Sequence, residues 1–176
     1  MILSTERLVL RRFRDDDAAA LAAYRSMPEV ARYQSWDAPY PLEKAIETVR
    51  LYAGGDPEQP GWFQYAIDLD GVLIGDIGLN LDETLRQAEL GFTLAPAYQG
   101  QGYASEAVGA LLDHLFTQRN LHRVSAECDA RNVASARLLE RLGFQREGLR
   151  RAASWWKGEW TDDLLFGRLH PDWPTE

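Results

Sequence analysis

Gln99, Gly100, Gln101, Gly102, Tyr103 and Ala104 follow a strand-like stretch, Glu89 to Leu94, and open an apolar helical pattern. Two glycines leave the backbone bare, so its N–H groups can approach an anion closely. A helix starting at the same point turns its positive dipole end toward that anion. This is chemistry for holding phosphate. A nucleotide P-loop would need a lysine on the outer phosphates and a hydroxyl on the metal, whereas Gly102 here is followed by Tyr103, Ala104 and Ser105. A dinucleotide site would need a third small residue, an early position in the chain and a ribose-binding acid about 20 residues on. Ser105 supplies the small residue, but the motif stands in the second half of the chain, and Ala126, Glu127 and Cys128 come only after a long helical stretch.

The elements that must position this loop can be read from periodicity. The pattern predicts a strand over 7–13 and a helix from the Asp15–Asp17 carboxylates to about Met27, ended by Pro28. A second helix starts at Pro41, uses Ile46, Val49, Leu51 and Tyr52, and stops at Gly54 and Gly55. Residues 62–69 and 72–81 form a hairpin around Asp70-Gly71, and 87–95 makes the next antiparallel strand. The apolar spacing of Ala104, Ala107, Val108, Leu111, Leu112 and Leu115 marks the central helix. A strand over 123–128 follows, then a helix over 133–142 capped by Gly143, and two last strands around Lys157-Gly158. The order is β-α-α-β-β-β-α-β-α-β-β: an α/β (α+β) fold with a mixed, mostly antiparallel sheet of about seven strands flanked by about four helices.

Composition sets the bounds. With 176 residues, 45% of them apolar, the chain suits one domain over 1–176 with a full core. Its net charge of −8 disfavours non-specific nucleic-acid or anionic-membrane partners. The single cysteine, Cys128, cannot form an internal disulfide, and no apolar run of about 18 residues suggests a membrane span. A cytoplasmic location is expected. His114, His122 and His170 are too scattered for a metal site, and His114 is read as a helix-surface residue. Cys128 reads as a small buried strand residue.

Gln99-x-x-Gly102-x-Ala104 on a strand–loop–helix resembles the pyrophosphate loop of the GNAT N-acetyltransferases. Asn132 to Ser135, Leu138 to Phe144 and Glu147-Gly148 resemble the second half of the same domain, in particular its RimJ/RimL branch. Glu6 to Arg12 is similar to that branch's opening strand, and Gly158, Trp160 and Asp162 to its closing hairpin. The resemblance implies the GNAT fold, acetyl-coenzyme A as acetyl donor, no metal, and direct attack by an acceptor amine in a ternary complex.

It also implies roles. The backbone N–H groups of Gln101 to Ser105 would hold the pyrophosphate, with the Gln99 side chain as an extra donor. Phe92, Thr93 and Leu94 would pair with the pantetheine arm as an added strand. Asn132, which by itself reads as a helix N-cap, would touch that arm. Ser135, by itself a first-turn serine bonding backbone, would lie near the sulfur as acid or thiolate stabiliser. The tyrosine that many relatives use as the acid is replaced by Leu139. Glu89 matches the place of a glutamate that relays a proton through water, although a strand-edge glutamate is commonly solvated. Where the ribosomal-protein enzymes carry a further glutamate on the sixth strand, this chain has Ser154.

For the acceptor, Tyr33, Trp36 and Asp37 in the loop between the first two helices, together with Glu89, are the candidates. At least about half of the aromatics Tyr33, Trp36, Tyr40, Trp62, Phe63, Trp155 and Trp156 are expected to be core. The expected acceptor is a protein N-terminal α-amine. A small amine such as a polyamine, amino acid or aminoglycoside is the alternative, and a non-catalytic acyl-CoA-binding module the rival from another class. The final hairpin, with Trp155, Trp156 and Trp160, offers a surface for a homodimer.

Overall fold

The computed structural model describes residues 3–172, so the outermost positions of the expected 1–176 unit lie outside the described residues. One sheet of eight strands runs through these residues. Its strands are β1 (Leu3–Ser4), β2 (Val9–Arg11), β3 (Gly61–Leu69), β4 (Val72–Leu81), β5 (Gln87–Leu94), β6 (Arg123–Asp129), β7 (Gln145–Trp156) and β8 (Glu159–Leu169), in the spatial order β1-β2-β3-β4-β5-β6-β8-β7. The extra strand beyond the expected set is β1, a two-residue piece that folds back on β2 through the Thr5–Leu8 turn. Its shortness leaves no periodicity to read. The expected first strand, 7–13, contracts to Val9–Arg11.

Every pairing is antiparallel except β5 with β6, which run parallel for three residue pairs, from Gln87↔Arg123 to Glu89↔Ser125. A parallel neighbour requires a long crossover, and α4 (Tyr103–Asp113) supplies it. Its Ala107, Val108, Leu111 and Leu112 are fully buried against the sheet, alongside α5 (Val133–Arg141). The opposite face carries α1 (Ala18–Arg25), α2 (Pro28–Ala31) and α3 (Leu42–Ala53) over a second apolar cluster that includes Ala66, Leu73 and Ala95.

Local chemistry explains the ends of these elements. Asp70 (φ 53°) and Gly71 (φ 87°) both adopt left-handed backbone in the two-residue β3–β4 turn, the conformation that matches strand twist. Gly143 (φ 81°) closes α5 in a Schellman arrangement: its N–H donates to the Glu140 carbonyl and that of Phe144 to the Leu139 carbonyl. Leu139 and Phe144 meet in the core beneath it. Pro28 does more than end α1. Met27 is extended, as a residue before proline tends to be, and Pro28 then opens the short α2 as its first helical residue.

Three sequence expectations are corrected. Leu51 of α3 is exposed, because the buried stripe runs through Ala45 and Val49. His114 is half-buried in a π-helical turn over 114–118, with Nε2 enclosed, since the chain widens there to reach the next strand. Of the seven aromatics, Tyr40 and Phe63 are buried and Trp36 packs partly against the second cluster, but Trp62, Trp155 and Trp156 are exposed. Spacing alone misjudged them because they lie beyond the reach of the covering helices.

A buried ion cluster ties β2, β3 and the entry to α1 together. Arg11 donates two hydrogen bonds to Asp17, both 2.8 Å, and one to Asp68 at 2.6 Å, and Asp17 also accepts from the Arg14 N–H at 2.7 Å. All three charged residues are more than nine-tenths buried. Removing one partner leaves the others uncompensated in low dielectric. Asp17→Ala is therefore expected to lower unfolding stability by about 3 kcal/mol, measured by urea titration. A loss below about 0.5 kcal/mol, the level of an ordinary surface change, would overturn this account.

Candidate functional site

The loop after β5 is shaped by its glycines. Gly100 (φ 74°) and Gly102 (φ 84°) take left-handed backbone, and Gly102 is the residue from which α4 begins. The first N–H of α4 to find a partner across the helix start is that of Glu106, bonded to the Gly102 carbonyl at 3.0 Å. Those of Tyr103, Ala104 and Ser105 precede it and point out of the helix end. Arg7 holds the loop from outside: it donates to the Gln101 carbonyl at 3.1 Å, pairs with Glu106 at 2.6 Å and lies over the Tyr103 ring at 4.3 Å. Arg7 was not foreseen as part of this loop, and no local pattern connects it to residues a hundred positions away.

This helix end opens on a cleft of about 720 Å³ between β5, α4 and α5. Eleven of the twelve residues expected to hold the cofactor line it: Phe92, Thr93, Leu94, Gln99, Gly100, Gly102, Tyr103, Ala104, Ser105, Asn132 and Ser135. Gln101 does not, because its amide turns back to the Ala97 carbonyl at 2.9 Å. The Gln99 side chain is also committed, donating to the Leu94 carbonyl at 2.9 Å, so it buttresses the strand end and is no spare donor.

The cleft exists because β5 and β6 part company. Their pairing ends at Glu89↔Ser125, whereas β5 continues to Leu94. The Ala95 N–H bonds Ile74 on the β4 side at 2.8 Å. By strand alternation Thr93 and Gly91 also turn toward β4, which leaves the backbone groups of Phe92 and Leu94 facing the gap. The resulting edge suits an extended ligand arm.

Across the gap, Asn132 caps α5, its side-chain oxygen accepting from the Ser135 N–H at 3.2 Å. The capping reading of Asn132 is thus observed. The Ser135 hydroxyl behaves differently: among the described residues it has no hydrogen-bond partner. Arg137 and Arg141, four residues apart on one helix face, also line the cleft. Sequence reasoning passed over them, although two arginines at i, i+4 behind an Asn cap were a readable signal.

A second cleft of about 290 Å³ adjoins the first. It shares Tyr33, Gln34, Phe92, Thr93, Asn132 and Ser135 with the first, so the two meet there. Trp36 lines it, its indole N–H bonded to the Arg25 carbonyl at 3.1 Å and its ring 4.1 Å from the Arg25 guanidinium. Beneath lies buried Asp76, which accepts from Gln64 at 2.6 Å and from the Tyr24 hydroxyl, and faces Arg25 at 3.7 Å. Burial and the Asp76 charge hold the Tyr24 hydroxyl well above its ordinary pKa, so it remains a proton donor.

Two expected acceptor residues stand elsewhere. Asp37 is almost fully exposed and bound to Lys157 at 2.9 Å, which keeps its carboxyl below the usual range; it belongs to a loop-to-hairpin clasp, not to the cleft. Glu89 shares the face of Gly91 and Thr93 but does not line the cavity. Its charged neighbour Glu127 does line it and is ion-paired with Arg150. Burial first, then the Glu127 charge, push the Glu89 carboxyl above the usual range. Cys128 borders the cleft as a neutral thiol, pushed up to about 11 by burial and then by Asp129. Ser154 bonds Asp163 at 2.6 Å and so stands within the hairpin's own network.

The arrangement is that of a two-substrate site. One cleft offers helix-end N–H groups, two arginines and an open strand edge, and a second, polar cleft meets it at Ser135. Known proteins share the sequence pattern and the fold. The model of the acetyltransferase (GNAT) domain matches residues 7–145. The uncharacterized N-acetyltransferase p20 of Bacillus licheniformis is 36% identical over 169 residues, 95% of each chain. The [ribosomal protein uS5]-alanine N-acetyltransferase of Escherichia coli (strain K12) is 25% identical over 97% of this chain and 92% of its own. A crystal structure of a GNAT-family acetyltransferase from Bacillus anthracis superposes with a TM-score of 0.88 at 29% identity, covering 98% of this chain and all of that one. With most of its length matched by the family model and a 36% identical relative covered almost end to end, this chain belongs to the GNAT family of N-acetyltransferases, among relatives of the RimJ/RimL type.

Proposed function

We propose that the protein transfers an acetyl group from acetyl-CoA to a primary amine, with a protein N-terminal α-amine as the preferred acceptor. The observation that carries this reading is the meeting of the two clefts at Ser135, where an arm laid along β5 from the phosphate loop would end. The residues fit such a donor. The N–H groups of Tyr103, Ala104 and Ser105 would face its pyrophosphate, Arg137 and Arg141 suit further phosphate, and the Phe92 backbone and the Leu94 N–H would be offered to its amides. The donor supplies an activated thioester carbonyl.

In the transfer, the amine nitrogen attacks that carbonyl, a C–N bond forms, the C–S bond breaks, and the amine's proton leaves as the thiolate gains one. A backbone N–H of the open β5 edge would stabilise the oxyanion, and the free Ser135 hydroxyl would donate to the departing sulfur. An α-amine of pKa near 8 is about a tenth neutral at pH 7, whereas a lysine near 10.4 is neutral only about once in two thousand. Glu89, outside the cleft lining, then suffices as base through water, and the uS5-alanine relative supports the same acceptor class.

Calorimetric titration is expected to show acetyl-CoA binding at micromolar affinity or better, about one per chain, with desulfo-CoA also bound and NADH silent. No binding of either CoA compound would overturn the reading. Ser135→Ala should lower kcat on the order of a hundredfold while acetyl-CoA affinity holds; an undiminished kcat would remove Ser135 from the chemistry. Glu89 serves as base only when deprotonated, so the rate should climb with pH through a pKa above the ordinary glutamate range. Glu89→Gln should flatten that climb, and an unchanged profile would shift the role to water alone.

A further inference from the structure

Two glycines lie in the floor of the smaller cleft, and over one of them the sheet is open. Gly78 on β4 and Gly91 on β5 are cross-strand partners, and both line that cleft. Neither has left-handed backbone, and the β4–β5 register runs through them without a bulge, so neither turn geometry nor a kink requires glycine at these positions. Glycine inside a strand weakens it and otherwise marks close approach by a ligand or another chain. Here the space is visible. A Cβ built on Gly91 would meet nothing within 4 Å. At Gly78 the Trp62 ring, 3.2 Å from such a Cβ, and the Gln64 amide, 3.0 Å away, lean over the strand. Trp62 itself is 60% exposed and lines the same cleft, a large apolar wall. Gly91 immediately precedes Phe92, one of the residues common to both clefts.

We propose that the residue carrying the acceptor amine lies flat on Gly91 with its side chain against Trp62, and that the missing side chain at Gly91 sets how large that residue can be. This rests on the amine-acetyltransferase reading above and assigns its acceptor class: an N-terminal α-amine whose first residue bears a sizeable apolar side chain. Within this otherwise polar cleft, the open space at Gly91 beside the Trp62 ring discriminates between first residues by the volume it leaves free.

The test uses the purified enzyme with Gly91→Ala, Gly91→Val and Trp62→Ala, and short peptides that differ only in an N-terminal Gly, Ala, Ser, Leu or Phe. Space at Gly91 is open and valine favours strands, so the variants should keep their thermal unfolding midpoint and bind acetyl-CoA within about twofold of the parent. The expected result is a change in preference. Gly91→Val should shift the kcat/KM ratio of glycine-ended over leucine-ended peptides at least tenfold, Gly91→Ala should shift it less, and Trp62→Ala should raise KM for Leu and Phe peptides more than it changes kcat.

An equal loss on every peptide would overturn the assignment and give the floor to the acyl group. So would an unaltered preference, or rejection by the parent enzyme of every residue larger than alanine. Acetyl-CoA binding without turnover of any peptide or of small primary amines would instead overturn the acceptor reading on which this proposal rests.

Discussion

The parting of β5 from β6 is the constraint on which the site depends. Parallel strands joined by a helix are usually paired along their common length, yet here the ladder ends at Glu89↔Ser125 and β5 runs on to Leu94 paired with β4 alone. Backbone groups left unpaired inside a protein are costly unless something satisfies them. An open edge next to an anion-ready helix end is therefore a place prepared for a ligand that can act as a strand. The two clefts meet at this parting, where they share Phe92, Thr93, Asn132 and Ser135.

Two sets of charges stiffen the frame around this opening. Arg11, Asp17 and Asp68 join β2, β3 and the start of α1 in a buried cluster. Arg7 reaches from the same end of the chain to the phosphate loop, where its hold on Gln101, Tyr103 and Glu106 fixes the loop's backbone. A loop held in this way has little freedom to lose when it meets an anion, and pre-organisation of that kind lowers the cost of binding. On the opposite face, Asp76, Arg25, Gln64 and Tyr24 form one hydrogen-bonded and ion-paired group, whose Arg25, Gln64 and Asp76 line the smaller cleft, while the space above Gly91 stays open.

Much of this was legible in the sequence, and the reason is locality. The Asp70-Gly71 turn, the Gly143 cap, the Asn132 cap and the left-handed Gly100 and Gly102 are settled by the conformational preferences of a few adjacent residues. The long apolar stripe of the central helix and the alternation of β3 to β5 are settled by periodicity. Less legible were features with weak or split signals. The two-residue β1 is too short for a period, the π-helical turn after α4 follows from where the chain must next go, and the exposed tryptophans at 62, 155 and 156 carry the composition of a core without its cover.

The sequence by itself determined the order of the longer elements, the phosphate-type loop and the family likeness, because glycine, proline, caps and hydrophobic period act over a few bonds. Only the tertiary structure decided which side chains share a space. It turned Gln99 and Gln101 back onto backbone, tied Asp37 to Lys157, set Glu89 near the charge of Glu127, brought Arg7 to a loop far along the chain, and put Gly78 beside Gly91. Those outcomes depend on register and packing between segments remote in sequence, where a shift of one residue would send each side chain to the other face of the sheet.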